Sequence, residues 1–242
     1  MTAPVFRLDP LPPGDVVVLS GDEGRHAAAV RRLRVGEHVD LTDGRGTVAE
    51  GVVEAVERAS LHVRVRERRV VPPPSPRLVV AQALVKGDRS ELAVELLTEL
   101  GVDEILPWEA ERCVAHWAGE KTARRWTATA EAAAKQARRP HWPVVGDVVD
   151  RAALASRLAG AELAVVLHEQ AGTPLTGAAV PSGPDAGEIV VVVGPEGGIS
   201  DAELSAFAEA GAGTYLLGPS VLRASTAGAA AAAVLLAVSG RW

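Results

Sequence analysis

The sequence predicts an α/β protein in two parts: a small β module at the N-terminus, then an open parallel sheet alternating with helices. Three observations predict it. Short alternating or β-branched runs fill the first seventy residues. Val70-Val71-Pro72-Pro73-Pro74-Ser75-Pro76 then places four prolines in five residues, a stiff extended spacer that no helix could hold. Beyond it, apolar runs of strand length alternate with helical segments that carry their own start and stop signals, the pattern of βαβ units. The expected partition is residues 1–71 for the β module, 72–76 for the linker and 77–242 for the second domain, with no internal repeat.

In the β module, residues 16–19, 39–41, 47–56 and 61–66 read as strands, and Asp43-Gly44-Arg45-Gly46 as a hairpin turn with an arginine at its tip. One helix interrupts them: Asp22 can cap it, and Ala27, Val30 and Leu33 share a face. Arg31, Arg32 and Arg34 project from its end, and Arg64, Arg66, Arg68 and Arg69 follow on the last strand. Such clusters suit either a solvated surface or contact with a phosphate backbone.

After the linker, residues 78–84 form a strand. Asp88-Arg89-Ser90-Glu91 has capping-box spacing and opens a helix with Ala93, Leu96, Leu97 and Leu100 on one face, stopped by Gly101. Ile105-Leu106 begins the next strand. Residues 122–139 are helical, with Arg124, Arg125, Lys135, Arg138 and Arg139 on the exposed side against Glu131. Residues 163–167, 188–193 and 214–217 are further strands. Ile189 and four successive valines read as a strand buried on both faces. Gly194-Pro195-Glu196-Gly197-Gly198 is a loop, and Ser200 with Glu203 opens a helix that turns Leu204 and Phe207 inward and ends at Gly211. The last helix starts near Thr226. Its small residues would let it lie close against the sheet or against a second subunit.

Composition bounds the function. The 242 residues are 48% hydrophobic and 23% charged, enough to bury a proper core. A net charge of -6 does not announce a nucleic-acid binder, but residues 1–75 balance 11 Arg against 11 Asp and Glu, so the deficit lies wholly in the remainder. Arginine supplies nearly all the positive charge, which favours bidentate phosphate contacts. The single Cys113 excludes an intrachain disulfide framework and suits a reducing compartment. No signal peptide is visible, and the apolar run 227–238 is too short and alanine-rich to span a membrane. The expectation is a soluble cytoplasmic protein with no membrane partner.

Metal chemistry is not expected, because the six histidines are scattered and none has ligand spacing with Cys113. There is no G-x-S-x-G elbow, and no Lys-Ser/Thr follows the glycines at 194–198, so neither an acyl-transfer hydrolase nor a Walker loop has support. Three strand-end loops remain: Leu167-His168-Glu169, residues 194–199, and Leu217-Gly218-Pro219-Ser220-Val221-Leu222-Arg223. In a parallel sheet all three gather at the carboxyl end, where α/β proteins bind ligands. They would wall a pocket for a compact, partly polar ligand.

The pair Gly194-Pro195-Glu196-Gly197-Gly198 and Leu217-Gly218-Pro219-Ser220-Val221-Leu222-Arg223 resembles the cofactor-binding signature of the RsmE family, the 16S rRNA (uracil-N3)-methyltransferases of the SPOUT superfamily. Lys86-Gly87-Asp88 through Glu99-Leu100-Gly101-Val102, Glu111-Arg112-Cys113 and Gln136-Ala137-Arg138-Arg139 match further segments, and residues 26–34 resemble the family's PUA-like RNA-binding module. The resemblance implies a C-terminal SPOUT domain, an α/β fold whose parallel sheet carries a trefoil knot, behind a PUA-like β-barrel. It implies S-adenosyl-L-methionine as cofactor, held by Leu167, Gly194, Pro195, Glu196, Gly198, Leu217, Gly218, Leu222 and Arg223. Arg223 and Glu196 are the implied catalytic candidates, and Arg31, Arg32, Arg34, Arg45, Arg89 and Arg138 the implied RNA contacts. The partners would be 16S rRNA in the small ribosomal subunit and a second copy of the chain, with no metal. A non-catalytic ribosome-assembly factor, or a 2′-O-methyltransferase of the same superfamily, are the alternatives. One position departs from the family's Leu-Arg-x-Glu-Thr-Ala: Ser225 stands in place of the glutamate, and could serve as N-cap of the last helix.

Overall fold

The computed structural model describes residues 3–242. The chain forms two compact units, Met1–Pro73 with Lys135–Trp142, and Pro74–Ala134 with Pro143–Trp242. The partition expected from sequence gave everything after the linker to the second unit. Residues 135–142 belong instead to the first, because their side chains find partners there. Lys135 pairs with Glu23, a ring nitrogen of His141 meets the Val71 carbonyl at 2.8 Å, and Trp142 N donates to the Gly44 carbonyl at 2.9 Å. The Trp142 ring lies on Gly44, where a Cβ would come 3.1 Å from the indole, and Arg7 stands over that ring at 5.2 Å.

The first unit is a five-stranded sheet in the order β1-β3-β4-β5-β2, from β1 (Val5–Arg7), β2 (Val16–Leu19), β3 (His38–Thr42), β4 (Thr47–Val56) and β5 (Leu61–Val70). β1 pairs parallel with β3, and the other pairings are antiparallel. Alternate residues, among them Val17, Leu19, Val39, Leu41, Val53, Leu61 and Val63, close on Phe6 and Ala27 in one core. The β3–β4 turn is held by Asp43, whose Oδ1 accepts from Arg45 N at 2.7 Å and Thr47 N at 3.0 Å. The helix expected over 22–33 is shorter and divided. α1 (Gly21–Arg25) runs into a π-helical turn, His26–Val30, and Val30 is 67% exposed rather than inward. Asp22 does not cap it: Ser20 holds the N-cap position with no side-chain bond, and Asp22 pairs with Arg25.

The second unit is a six-stranded, all-parallel sheet in the order β11-β9-β10-β6-β7-β8, from β6 (Arg77–Ala83), β7 (Glu104–Trp108), β8 (Val144–Val145), β9 (Leu163–Leu167), β10 (Glu188–Val193) and β11 (Gly213–Tyr215). Its helices are α2 (Arg89–Leu100), α3 (Glu120–Gln136, whose last two residues pass into the first unit), α4 (Arg151–Ala159), α5 (Asp201–Glu209) and α6 (Ala224–Val238). The period of two along β6 and β10 sorts their side chains between two cores. Leu78, Val80, Ile189, Val191 and Val193 pack with residues of α2, α3 and α6, and Val79, Ala81, Val190 and Val192 with residues of α4 and α5. Each fully buried valine of β10 is worth roughly 1.5–3 kcal/mol over exposure, so the strand that carries the glycine loop is anchored by its whole length.

Helix starts differ from expectation in two places. Asp88 is the N-cap residue of α2 but makes no side-chain cap bond; Ser90 Oγ donates to the Val85 carbonyl at 2.9 Å, and Glu91 pairs with Arg125. The buried face of α2 is Ser90, Ala93, Val94, Leu97 and Thr98, one step round from the expected one. Ser225 does not cap α6. Arg223 occupies that position, and Ser225 is buried within the first turn. The exposed basic side expected on α3 is largely neutralised, with Arg124 paired to Glu120, Arg125 to Glu91 and Lys135 to Glu23. No helix among the described residues is long and apolar enough to cross a membrane.

Candidate active site

β11, β9 and β10 are neighbours and run in one direction, so the segments after them meet at one end of the sheet. They enclose a cavity of about 570 Å³. The loop after β9 is tied to the one after β11 by backbone bonds: His168 N donates to Tyr215 O at 3.0 Å, Leu216 N to Thr173 O at 2.8 Å, and Leu175 N to Leu216 O at 2.9 Å. Strand β11 therefore stops at Tyr215, two residues earlier than expected, and frees Leu217 for the cavity wall.

The glycine loop after β10 is tightly packed at Gly194 and Gly197. A Cβ on Gly194 would lie 2.7 Å from Cγ1 of buried Ile199, and one on Gly197 would lie 3.0 Å from Arg112 Cβ and 3.1 Å from the Arg112 carbonyl. Gly198 is left-handed at φ 75°, and its N–H donates to the Pro195 carbonyl at 2.9 Å. The capping box expected from Ser200 and Glu203 is formed, with Glu203 N donating to Ser200 Oγ at 3.3 Å and Ser200 N to Glu203 Oε2 at 2.8 Å. The other carboxylate oxygen of Glu203 accepts from Glu111 N at 2.7 Å. Trp108 Nε1 donates to the Val193 carbonyl at 3.0 Å, so the chain leaving β7 is fastened to both ends of the loop.

Every residue expected to hold the cofactor, namely Leu167, Gly194, Pro195, Glu196, Gly198, Leu217, Gly218, Leu222 and Arg223, lines this cavity. Arg223 is exposed, with no ion-pair partner among the described residues. Glu196 is half-exposed, and its Oε1 lies 3.9 Å from Arg89 Nη1. Arg89 therefore stands beside the site, whereas the other arginines expected to touch RNA lie in the first unit. There Arg31, Arg32 and Arg34 are exposed in the turn after the π-helix, Arg45 is paired with Asp9 at 2.5 Å, and Arg138 Nη2 donates to the Ala3 carbonyl at 2.7 Å. His168 and Glu169 line the cavity on the loop expected to wall it, whereas the sequence reading missed Arg112 and Asp201 as wall residues. Glu111-Arg112-Cys113 shows in the sequence only as a segment matching the family, and nothing local places Arg112 at the cavity, because its position depends on where the end of β7 falls relative to the glycine loop.

A family model described as an RNA methyltransferase domain matches residues 72–236, and one described as an RNA methyltransferase PUA domain matches residues 19–66. The chain is 46% identical over 251 residues to the ribosomal RNA small subunit methyltransferase E of Mycobacterium bovis, covering all of this chain and 94% of that protein. It belongs to the ribosomal RNA small subunit methyltransferase E family. Identity to the Bacillus subtilis member is 29% over 220 residues, covering 86% and 85% of the two chains. The crystal structure of the Neisseria gonorrhoeae member, bound to S-adenosyl methionine, superposes with a TM-score of 0.86 at 27% identity over 98% of each chain. The fold is thus that of a SPOUT methyltransferase behind a PUA domain.

The cavity suits that cofactor on its own terms. Its volume is in the range of small-molecule sites. It offers backbone and apolar surface together with Glu169, Glu196 and Asp201 for positive charge and Arg112 and Arg223 for negative charge, as a sulfonium-bearing amino acid requires.

Proposed function

We propose that this protein uses S-adenosylmethionine to methylate N3 of a uridine in the 16S rRNA of the small ribosomal subunit, acting as a homodimer. The observation that carries the reading is the cavity itself. Three loops at the carboxyl ends of adjacent parallel strands form it, and it is lined by all nine residues that the family signature implies. The cofactor would bring a methyl group on a sulfonium, which transfers without a metal. The chain's residues have three tasks: to position the base, to let the N3 proton leave, and to stabilise negative charge developing on the flanking carbonyl oxygens.

Arg223, exposed on the cavity wall, and Arg89, which stands beside the wall residue Glu196, are the candidates for the charge. Glu196, near Arg89, orients that arginine and lines the cofactor site; this role is favoured over proton acceptance. N3 lies on the pairing edge, so the uridine must be unpaired or flipped out when it reacts. In the first unit, Arg31, Arg32 and Arg34 are the stronger RNA candidates, because their guanidinium groups have no carboxylate partner among the described residues. Arg45 is partly neutralised by Asp9, and Arg64 by Glu54.

The test is transfer of labelled methyl from S-adenosylmethionine to unmethylated small subunits, mapped by reverse-transcriptase stops. One stop at a uridine establishes base and position together. Transfer without a stop would point to the 2′-hydroxyl instead. Absence of both transfer and cofactor binding would favour a non-catalytic assembly factor.

A further inference from the structure

We infer that Arg112 anchors the carboxylate of the methyl donor's amino-acid arm, an inference that rests on reading the cavity as an S-adenosylmethionine site. Arg112 reaches the cavity from the chain that leaves β7, not from any of the three strand-end loops. Its stem is fixed from both sides. The preceding peptide is held by Glu111 N donating to the buried Glu203 carboxylate at 2.7 Å, and its own Cβ and carbonyl lie against Gly197, where a Cβ would come within 3.0 and 3.1 Å of them. Its guanidinium is almost unused. Nη1 donates to the Gly197 carbonyl at 3.3 Å, and no carboxylate lies within ion-pair distance among the described residues. Most of the five donors of a rigid fork are therefore free beside a cavity, the arrangement that receives a carboxylate bidentately.

The distribution of charge selects the ligand group. The amino-acid arm carries its ammonium and carboxylate on one carbon, so the protein groups that receive them must be close together. Arg112 packs on the loop that contains Glu196 and leads to Asp201, so one wall offers both signs. Arg223 enters on a different loop, as the N-cap residue of α6, and is left for the developing charge on the base.

The test compares two ligands by titration calorimetry, without RNA. S-adenosylhomocysteine has the amino-acid arm, and 5′-methylthioadenosine lacks it. Arg112→Ala should weaken the first by about 10–100-fold, the range for a charge-assisted pair, and leave the second within about twofold. Arg112→Lys, which keeps the charge without the fork, should fall between. Equal weakening of both ligands would mean that Arg112 only shapes the loop, and the inference fails. No change in either also overturns it; a shallower salt dependence of RNA binding in the variant would then assign the side chain to a phosphate. If wild-type protein binds neither ligand, the cofactor reading itself falls.

Discussion

Glu203→Ala tests whether one buried carboxylate holds the glycine loop in place. Glu203 is 2% exposed, and its two oxygens accept from Ser200 N at 2.8 Å and Glu111 N at 2.7 Å. Truncation leaves both N–H groups without an acceptor. The Ser200 N–H is in a buried bond and bears the full cost of an unsatisfied donor, about 1–3 kcal/mol. The Glu111 N–H is part-buried and can recover some hydration, so about 1 kcal/mol is assigned to it. The total is about 2–4 kcal/mol, and at about 2–4 °C per kcal/mol for a chain of this size the melting temperature should fall by roughly 5–15 °C. Glu203→Gln keeps one acceptor oxygen but turns an amide N–H₂ toward the second donor, so it should recover only part of the loss. Thermal unfolding followed by circular dichroism reads the stability, and calorimetry with S-adenosylhomocysteine reads the site. A shift below about 2 °C in Glu203→Ala would refute the view that the carboxylate supports this loop, because two orphaned donors cannot cost so little if the bonds exist.

Arg223→Ala removes an exposed side chain with no ion-pair partner among the described residues, so unfolding should shift by no more than about 0.5 kcal/mol, while cofactor affinity or turnover falls by at least about tenfold; wild-type kinetics would remove Arg223 from the site. Replacing Arg31, Arg32 and Arg34 together with glutamine should weaken RNA binding and flatten its salt dependence by up to about three phosphate contacts, and an unchanged slope would mark them as a solvated surface. Asp43 gives a pH signature. Burial raises its pKa, but hydrogen bonds from Arg45 and Thr47 outweigh that and hold it below the ordinary 3.8. The unfolded chain therefore takes up the proton first as pH falls. The stabilisation is complete above about 3.8 and is lost as pH drops through the lower folded value. Urea midpoints of wild type and Asp43→Asn should differ by a constant amount near neutrality and converge below about pH 4; a constant gap down to pH 2.5 would show that Asp43 is not the titrating group.

Where period and punctuation are local, the sequence was readable. The four valines of β10 could only suit a strand covered on both faces, and Ser200 and Glu203 stood at the spacing of the capping box they form. The same spacing misled at Asp88 and Glu91, because two tertiary partners compete for those side chains: the Val85 carbonyl takes Ser90, and Arg125 takes Glu91. Strand β1 was missed because three residues, of which only Phe6 is fully buried, carry no periodicity. The first unit's claim on residues 135–142 was invisible for a similar reason. A helix pattern continues through Lys135, and only the distant Glu23 and Gly44 explain why the chain leaves the second unit there. The cavity loops were legible as strand ends, but Arg112 was not, since adjacency across the sheet is not written in sequence spacing.

The alanine-rich α6 shows how close packing places the third loop. Its composition left two readings open, packing on the sheet or on a second subunit. Within the chain, Gly228 decides for the sheet side: a Cβ there would lie 3.2 Å from both Leu97 of α2 and Val193 of β10, and 3.4 Å from Gln82 Oε1 of β6. One residue without a side chain thus lets the helix touch two strands and a neighbouring helix at once. Because β10 ends at that same Val193, the start of α6 is held over the glycine loop, and Arg223 and Ala224 are carried to the cavity wall. Gly228→Leu should therefore affect cofactor affinity as well as stability. Three contacts tighter than 3.5 Å must yield to a four-carbon side chain, and overpacking of this kind costs about 1–3 kcal/mol. A variant that lost stability but kept full affinity for S-adenosylhomocysteine would separate the seating of α6 from the geometry of the site.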